Sequence, residues 1–250
     1  GTPVPSTDFQ PLARALHAKG FRTAIVEKFG YGYSDWTKQP RALDTVVDEM
    51  REALEQAGVK PPYVLCGHSM SGTEMVRWSS RYPEEVKAIL SIDAPAPLAY
   101  THLPLPPVAV LRLQTLFRWC GWDRALAHIP AYAKREDGYM NDYRLLTADE
   151  LALTRIFQKR NTANPCCLRE IAALKESAKT AGGKVNAPVT MCIASDTKEK
   201  LLDKLQPEED NFIRDNKARV VVVCGKHNLQ HYDPNVLAEE AARLCGGTEE

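Results

Sequence analysis

The serine at position 69 is the residue whose type and surroundings most directly suggest chemistry. It lies in the stretch CGHSMSG, residues 66–72, between an apolar segment that predicts a strand and a stretch that predicts a helix. A tight strand-to-helix turn needs small flanking residues, which Gly67 and Gly72 supply. Such a turn exposes the Ser69 hydroxyl at a helix N-terminus, where free N–H groups favour developing negative charge. The N–H of Met70 is the expected oxyanion donor.

A serine hydroxyl is a weak nucleophile and needs a base that an acid orients. His227, in the loop after the last predicted strand, is the predicted base, and His231 is the alternative four residues further on. Asp196, just beyond the preceding predicted strand, is the predicted acid. Asp93, at the end of an earlier strand, is the rival acid, and we interpret it instead as a turn residue. His68, beside the serine, is interpreted as a packed residue.

Alternating elements must position these side chains. Apolar runs of strand length alternate with amphipathic stretches of helical period, which predicts an α/β fold with a mostly parallel sheet and helices on both faces. Residues 96–185 show no strand pattern and predict an inserted all-helical cap, so that residues 1–95 and 186–250 form the core. The predicted strands cover residues 23–28, 62–66, 86–93, 188–194 and 219–224.

A glycine-rich loop, FGYGYSD at residues 29–35, follows the first predicted strand. Its tyrosines, Tyr31 and Tyr33, and its Ser34 could line a pocket. We interpret the loop instead as a turn whose glycines adopt positive φ. It is not a phosphate-binding loop, because no Lys-Ser/Thr pair follows.

Composition excludes several classes of protein. The 250 residues carry no net charge at pH 7, whereas nucleic-acid binders normally have a basic surplus. No apolar run reaches the ~18–20 residues of a membrane-spanning helix. The seven cysteines show no metal-ligand spacing, and several lie in apolar runs, which indicates a reducing, cytoplasmic compartment. We therefore expect a protein without a metal or cofactor that acts on a small molecule.

Several motifs together resemble the α/β-hydrolase superfamily over essentially the whole chain. They are FGYGYSD at 29–35, GHSMSG at 67–72 and RYPEEVKAILSIDAPAP at 81–97. The resemblance implies Ser69 as nucleophile, Asp196 as acid, His227 as base and the insertion as a cap over the pocket. Ser71 stands where the family usually has glycine; it is small, and we expect it to be tolerated.

The resemblance also implies a strand that precedes the first helix and lies between the strands at 23–28 and 62–66. The sequence begins within the loop that should follow that strand. We therefore expect a fragment that lacks the first core strands, with a parent longer by about 30–50 residues. The second oxyanion donor is expected among those residues, close to Gly1 and Thr2.

The predicted function is hydrolysis of a carboxylic ester through an acyl-enzyme on Ser69, and thioester, amide and C–C substrates share the same triad. Epoxide hydrolases and dehalogenases of this fold generally use an aspartate nucleophile, so Ser69 argues against both. Cap aromatics would suit an apolar acyl or aromatic ester. The alternatives are a non-catalytic ligand-binding or sensor protein of this fold and an inactive fragment of a hydrolase. The cap aromatics are Phe117, Trp119, Trp122, Tyr132, Tyr139 and Tyr143.

Overall fold

The computed structural model describes residues 2, 4–105, 107–126, 128–131 and 144–246. Its centre is a four-stranded sheet in the order β1-β2-β3-β4, in which every neighbouring pair is parallel. The predicted parallel α/β architecture is therefore confirmed. The strands are β1 (Tyr63–His68), β2 (Val86–Ile92), β3 (Val189–Ala194) and β4 (Arg219–Val223).

Helices cover both faces of the sheet because successive strand residues point to opposite sides. On one face Ile89 of β2 packs in a cluster with α2, α3 and α8. On the other face its neighbour Leu90 packs in a cluster with α1 and α9. The core helices are α1 (Gln10–Ala18), α2 (Leu43–Gln56), α3 (Ser71–Arg81), α8 (Ser195–Asn216) and α9 (Pro234–Leu244).

The described part of residues 96–185 consists of helices, turns and loops without a strand. The Thr147 side chain forms a capping box with Glu150, and the Asn164 side chain accepts the first N–H groups of the next helix. Three of the predicted aromatic residues, Tyr132, Tyr139 and Tyr143, lie outside the described residues. The helices are α4 (Val108–Trp119), α5 (Trp122–Leu126), α6 (Ala148–Asn161) and α7 (Pro165–Ala181). Among the described helices, none is both long and apolar enough to cross a membrane.

A buried ionic cluster holds α7 against the core. Lys28 Nζ lies 2.5 Å from Glu74 and 2.9 Å from Glu170, and Tyr31 donates a 2.7 Å hydrogen bond to Glu170. Burial alone would raise the pKa of Glu170, but Lys28 and the other donors lower it overall. Removing one partner would leave an uncompensated buried charge, so the cluster constrains where α7 can sit. Tyr31 is 2% exposed and belongs to this cluster, and Gly30 and Gly32 have the predicted positive φ.

The predicted strand over residues 23–28 is wrong. Residues 21–28 form no strand, and β1 has only β2 as a ladder partner within the described ranges. Between β1 and residues 21–28 lies a cleft of about 740 Å³, and Cys66 of β1 is exposed beside it. An apolar run becomes a strand only when a neighbouring strand pairs with it, and residues 21–28 have no such ladder partner among the described residues.

Candidate active site

The backbone at Ser69 is held in an unusual conformation between β1 and α3. Its φ is +56°, in the left-handed region that a non-glycine residue occupies at some energetic cost. The Ser69 N–H donates to the carbonyl of Ile92 at 3.2 Å, which ties the turn to the end of β2. The turn has the strand-to-helix context that the sequence predicts, and it leaves Ser69 half-buried.

Small residues allow this turn to pack closely. A Cβ on Gly72 would lie 3.0 Å from the Ala94 Cβ and 3.3 Å from the Pro95 carbonyl oxygen. The N-terminus of α3 can therefore approach the loop that follows β2. Met70 is the N-cap of α3, so its N–H has no carbonyl within the helix to bond. That N–H remains the predicted oxyanion donor.

His227 pairs with Asp93. Its Nδ1 lies 2.6 Å from Asp93 Oδ2. The Asp93 side chain is 1% exposed, whereas the His227 side chain is 51% exposed and open to a reactant. The other carboxylate oxygen, Asp93 Oδ1, accepts the N–H of Ala194 at 2.8 Å. A buried acid that fixes one imidazole nitrogen and leaves the ring accessible is the arrangement a general base requires.

The prediction that Asp196 orients His227 is corrected by this pairing, and so is the interpretation of Asp93 as a turn residue only. β3 runs directly into α8, which places Asp196 in the first turn of that helix. There its backbone N–H donates to the Gly225 carbonyl at 3.2 Å. Asp93 instead has a φ of +44°, which interrupts the extended backbone where β2 ends. A carboxylate at a helix N-terminus also has a structural explanation, since it complements the helix dipole.

The other two histidines of this region have supporting positions. His68 is 2% exposed, and its Nε2 lies 3.0 Å from the His227 carbonyl oxygen, so Nε2 carries the proton and donates. Burial lowers the pKa of His68 well below its usual value, which keeps the ring neutral. His231 has a fully buried side chain whose Nε2 lies 3.9 Å from Asp8. A buried ring cannot meet a substrate, so the structure favours His227 over His231 as base.

Two residues that the sequence did not single out border the site. Tyr100 is 6% exposed and packs with Met70, the residue after Ser69. Burial raises the pKa of Tyr100, so its hydroxyl keeps its proton. Glu209, from the middle of α8, accepts the N–H of Ala96 at 2.7 Å. Neither has a local motif, and a side chain that reaches the site from a distant helix leaves no signal in the spacing.

The hydroxyl of Ser69 is not yet engaged with the base. Within the described part of the chain, no hydrogen bond joins Ser69 to His227, whose Nδ1 is paired with Asp93. Hydrogen bonds of this kind are often long without substrate and tighten when substrate binds. The site therefore holds the acid–base pair and the strained serine as separate parts.

Comparison with known proteins places the chain in a family. Residues 5–234 match the model of the alpha/beta hydrolase fold family, and the chain belongs to that family. Among curated proteins it is 40% identical over 97 residues to the uncharacterized protein YbdG of Bacillus subtilis (strain 168). That match covers 39% of this chain and 30% of the relative. The chain thus matches less than a third of the length of this relative.

Solved structures share the fold at low identity. The thioesterase domain from the curacin biosynthetic pathway aligns with a TM-score of 0.62 and 19% identity over 97% of this chain and 88% of that domain. The enol-lactonase from Burkholderia xenovorans LB400 aligns with a TM-score of 0.64 and 15% identity over 98% and 88%. Identities this low establish a common fold, and the chemistry must be argued from the site itself.

Proposed function

We propose that this protein hydrolyses carboxylic esters through an acyl-enzyme formed on Ser69. The observation that carries the proposal is the pairing of Asp93 with His227 at strand ends of the same sheet that presents Ser69. A buried acid, an accessible imidazole and a serine at a helix N-terminus are the parts of a serine hydrolase.

In the proposed reaction His227 accepts the proton of Ser69 as the serine oxygen attacks the ester carbonyl. Asp93 accepts the hydrogen bond from Nδ1–H of His227, which orients the ring and stabilises its cation. His227 then protonates the leaving alcohol. A water molecule, deprotonated by the same imidazole, hydrolyses the acyl-enzyme and regenerates Ser69.

The developing oxyanion needs hydrogen-bond donors that are already in place. The N–H of Met70 at the start of α3 is the donor that we assign, and the dipole of α3 adds to it. Removing a single donor of this type typically lowers kcat by about 10²–10³-fold. The Gly72 contact with the loop after β2 keeps this helix terminus close to Asp93.

The substrate class follows from the side chains around the serine. Met70 and Tyr100 form an apolar cluster with Leu174 and Ala178 of α7, and partly buried Leu103 and Leu105 join it. An apolar acyl group would bury its surface there at roughly 25 cal/mol per Å². We therefore propose an apolar or aromatic acyl ester as substrate and residues 96–185 as the cap that covers it. The structural neighbours include a thioesterase domain and an enol-lactonase, and both names denote acyl chemistry in those proteins, which is consistent with this class.

Labelling with a fluorophosphonate probe, followed by intact-mass analysis, tests the proposal. We expect one adduct on the native protein, loss of the adduct in Ser69→Ala, and retention in the matched control Ser71→Ala two residues away. Hydrolysis of 4-nitrophenyl butyrate should follow the same pattern. A folded native protein that neither labels nor hydrolyses esters would overturn the proposal and favour the ligand-binding alternative.

A further inference from the structure

A buried carboxyl group with one unpaired oxygen lies beside the proposed catalytic acid. Glu209 of α8 is 4% exposed, and its Oε1 accepts the N–H of Ala96 at 2.7 Å. Its Oε2 is buried and has no hydrogen-bond partner within the described ranges. A buried polar atom without a partner is costly, so its retention here calls for an explanation.

The loop that Glu209 holds is the loop that carries Asp93. Ala96 lies three residues after Asp93 and is followed by the 3-10 turn Pro97–Thr101, which packs against α8. Asp93 is itself anchored to Ala194, the N-cap of α8, through the 2.8 Å bond to Oδ1. Helix α8 therefore fixes this loop at two points, one at its N-terminus and one at Glu209.

We propose that Glu209 is a positioning residue that sets the geometry of the Asp93–His227 pair by holding the Ala96 N–H. The proposal rests on the proposed hydrolase function for its kinetic consequence, but the geometry can be measured without turnover. A displacement of about 1 Å in a catalytic group can reduce the rate by about 10²-fold, so a loop anchor of this kind has a large effect.

The surroundings of Glu209 favour its neutral form. Asp210 is its neighbour on α8, and Asp93 and Tyr100 are close enough to interact with it electrostatically. Burial, and secondarily these carboxylates, raises the pKa of Glu209 to about 7. The neighbouring Glu208 differs, because it lies 3.4 Å from the exposed His102. Ionisation of Glu209 would add a second negative charge beside Asp93.

Three variants distinguish the hydrogen bond between Glu209 and the Ala96 N–H from the effect of the Glu209 charge. Glu209→Ala removes the acceptor, and we expect kcat for ester hydrolysis to fall about 10- to 100-fold with little change in KM. Glu209→Gln keeps an oxygen for the Ala96 N–H, so we expect most of the activity to remain while a step in the pH profile of kcat/KM near pH 7 disappears. Glu208→Ala, the matched control, should leave both unchanged. Equal activity of Glu209→Ala and Glu208→Ala would overturn the proposal.

A second measurement works even if the protein does not hydrolyse esters. The short bond between His227 and Asp93 should give a downfield proton NMR resonance that Asp93→Asn abolishes. We expect Glu209→Ala to shift or remove this resonance and Glu209→Gln and Glu208→Ala to preserve it. An unchanged resonance in folded Glu209→Ala would refute the positioning role. Failure of labelling at Ser69, with this NMR pattern intact, would refute only the proposed function.

Discussion

The carboxyl ends of β2 and β3 are adjacent and each is followed by an aspartate, yet only one of the two aspartates contacts the histidine. At the end of β2 the backbone of Asp93 turns to a positive φ, and its carboxylate is buried against His227. At the end of β3 the chain enters α8 at once, and Asp196 lies in the first helical turn. The backbone conformation after each strand therefore determines which of the two aspartates reaches His227.

The ends of β2 and β3 also have different roles. The end of β2 carries the proposed acid, Asp93, and the N–H of Ala194 at the end of β3 donates to its carboxylate. Glu209 of α8 accepts the N–H of Ala96 in the loop that follows Asp93. Ser195, at the start of α8, fixes the loop after β4 through Gly225. The acid therefore depends on a helix that donates no catalytic group of its own.

Replacing each of the two aspartates by asparagine should give the greatest difference in kcat. Asp93→Asn should lower kcat by roughly 10⁴-fold, because an amide no longer holds the imidazole in the required tautomer. Asp196→Asn should leave kcat close to that of the native protein. Steady-state hydrolysis of 4-nitrophenyl butyrate, with circular dichroism to verify folding, measures both. The reverse order of effects would restore Asp196 as the acid.

A smaller effect concerns the pH dependence of stability at Glu209. The ordinary pKa of 4.5 is raised to about 7 in the folded protein, so the folded state retains a proton that the unfolded state releases in this window. Stability is therefore lost as pH rises from about 4.5 to 7. We expect Glu209→Gln to gain on the order of 2–3 kcal/mol relative to the native protein between pH 4 and pH 8.

Urea unfolding at several pH values measures this gain, and Glu208→Gln serves as the control on the same helix. A pH-independent difference between Glu209→Gln and the native protein would show that Glu209 titrates near its ordinary pKa. The ends of β2 and β3 would then differ in their hydrogen bonds but not in the protonation of Glu209.

The smallest effect is expected at the end of β3. The Ser195 hydroxyl accepts the Gly225 N–H at 3.2 Å and donates to its carbonyl at 3.3 Å. Ser195→Ala should lower the free energy of unfolding by about 1 kcal/mol. Exposed Ser80→Ala, the control, should change it by less than about 0.5 kcal/mol. Denaturant titration compares the two, and a loss of activity larger than the loss of stability would assign Ser195 a direct role.

The sequence predicted much of the fold but less of the site. Apolar runs predicted β1 to β4 within two residues at either end. In β2 and β3 the reason is burial on both faces, which makes a strand nearly continuous in hydrophobicity. The same signal failed for residues 23–28, since a run of apolar residues does not reveal whether a ladder partner is present. Local context predicted Ser69 as nucleophile and His227 as base, but it could not choose between acids that follow adjacent strands.

What the sequence determined by itself was the order of elements, the tight turn at Ser69 and the set of residues at strand ends. These depend on hydrophobic period, small residues and chain order, which are local properties. The packing of the folded chain brings Asp93 to His227, His68 to the His227 carbonyl and Glu209 to the loop that follows Asp93. These contacts join residues from 113 to 159 positions apart. Residues so far apart in the sequence come into contact only when the sheet and its helices pack together, and that packing depends on the whole chain.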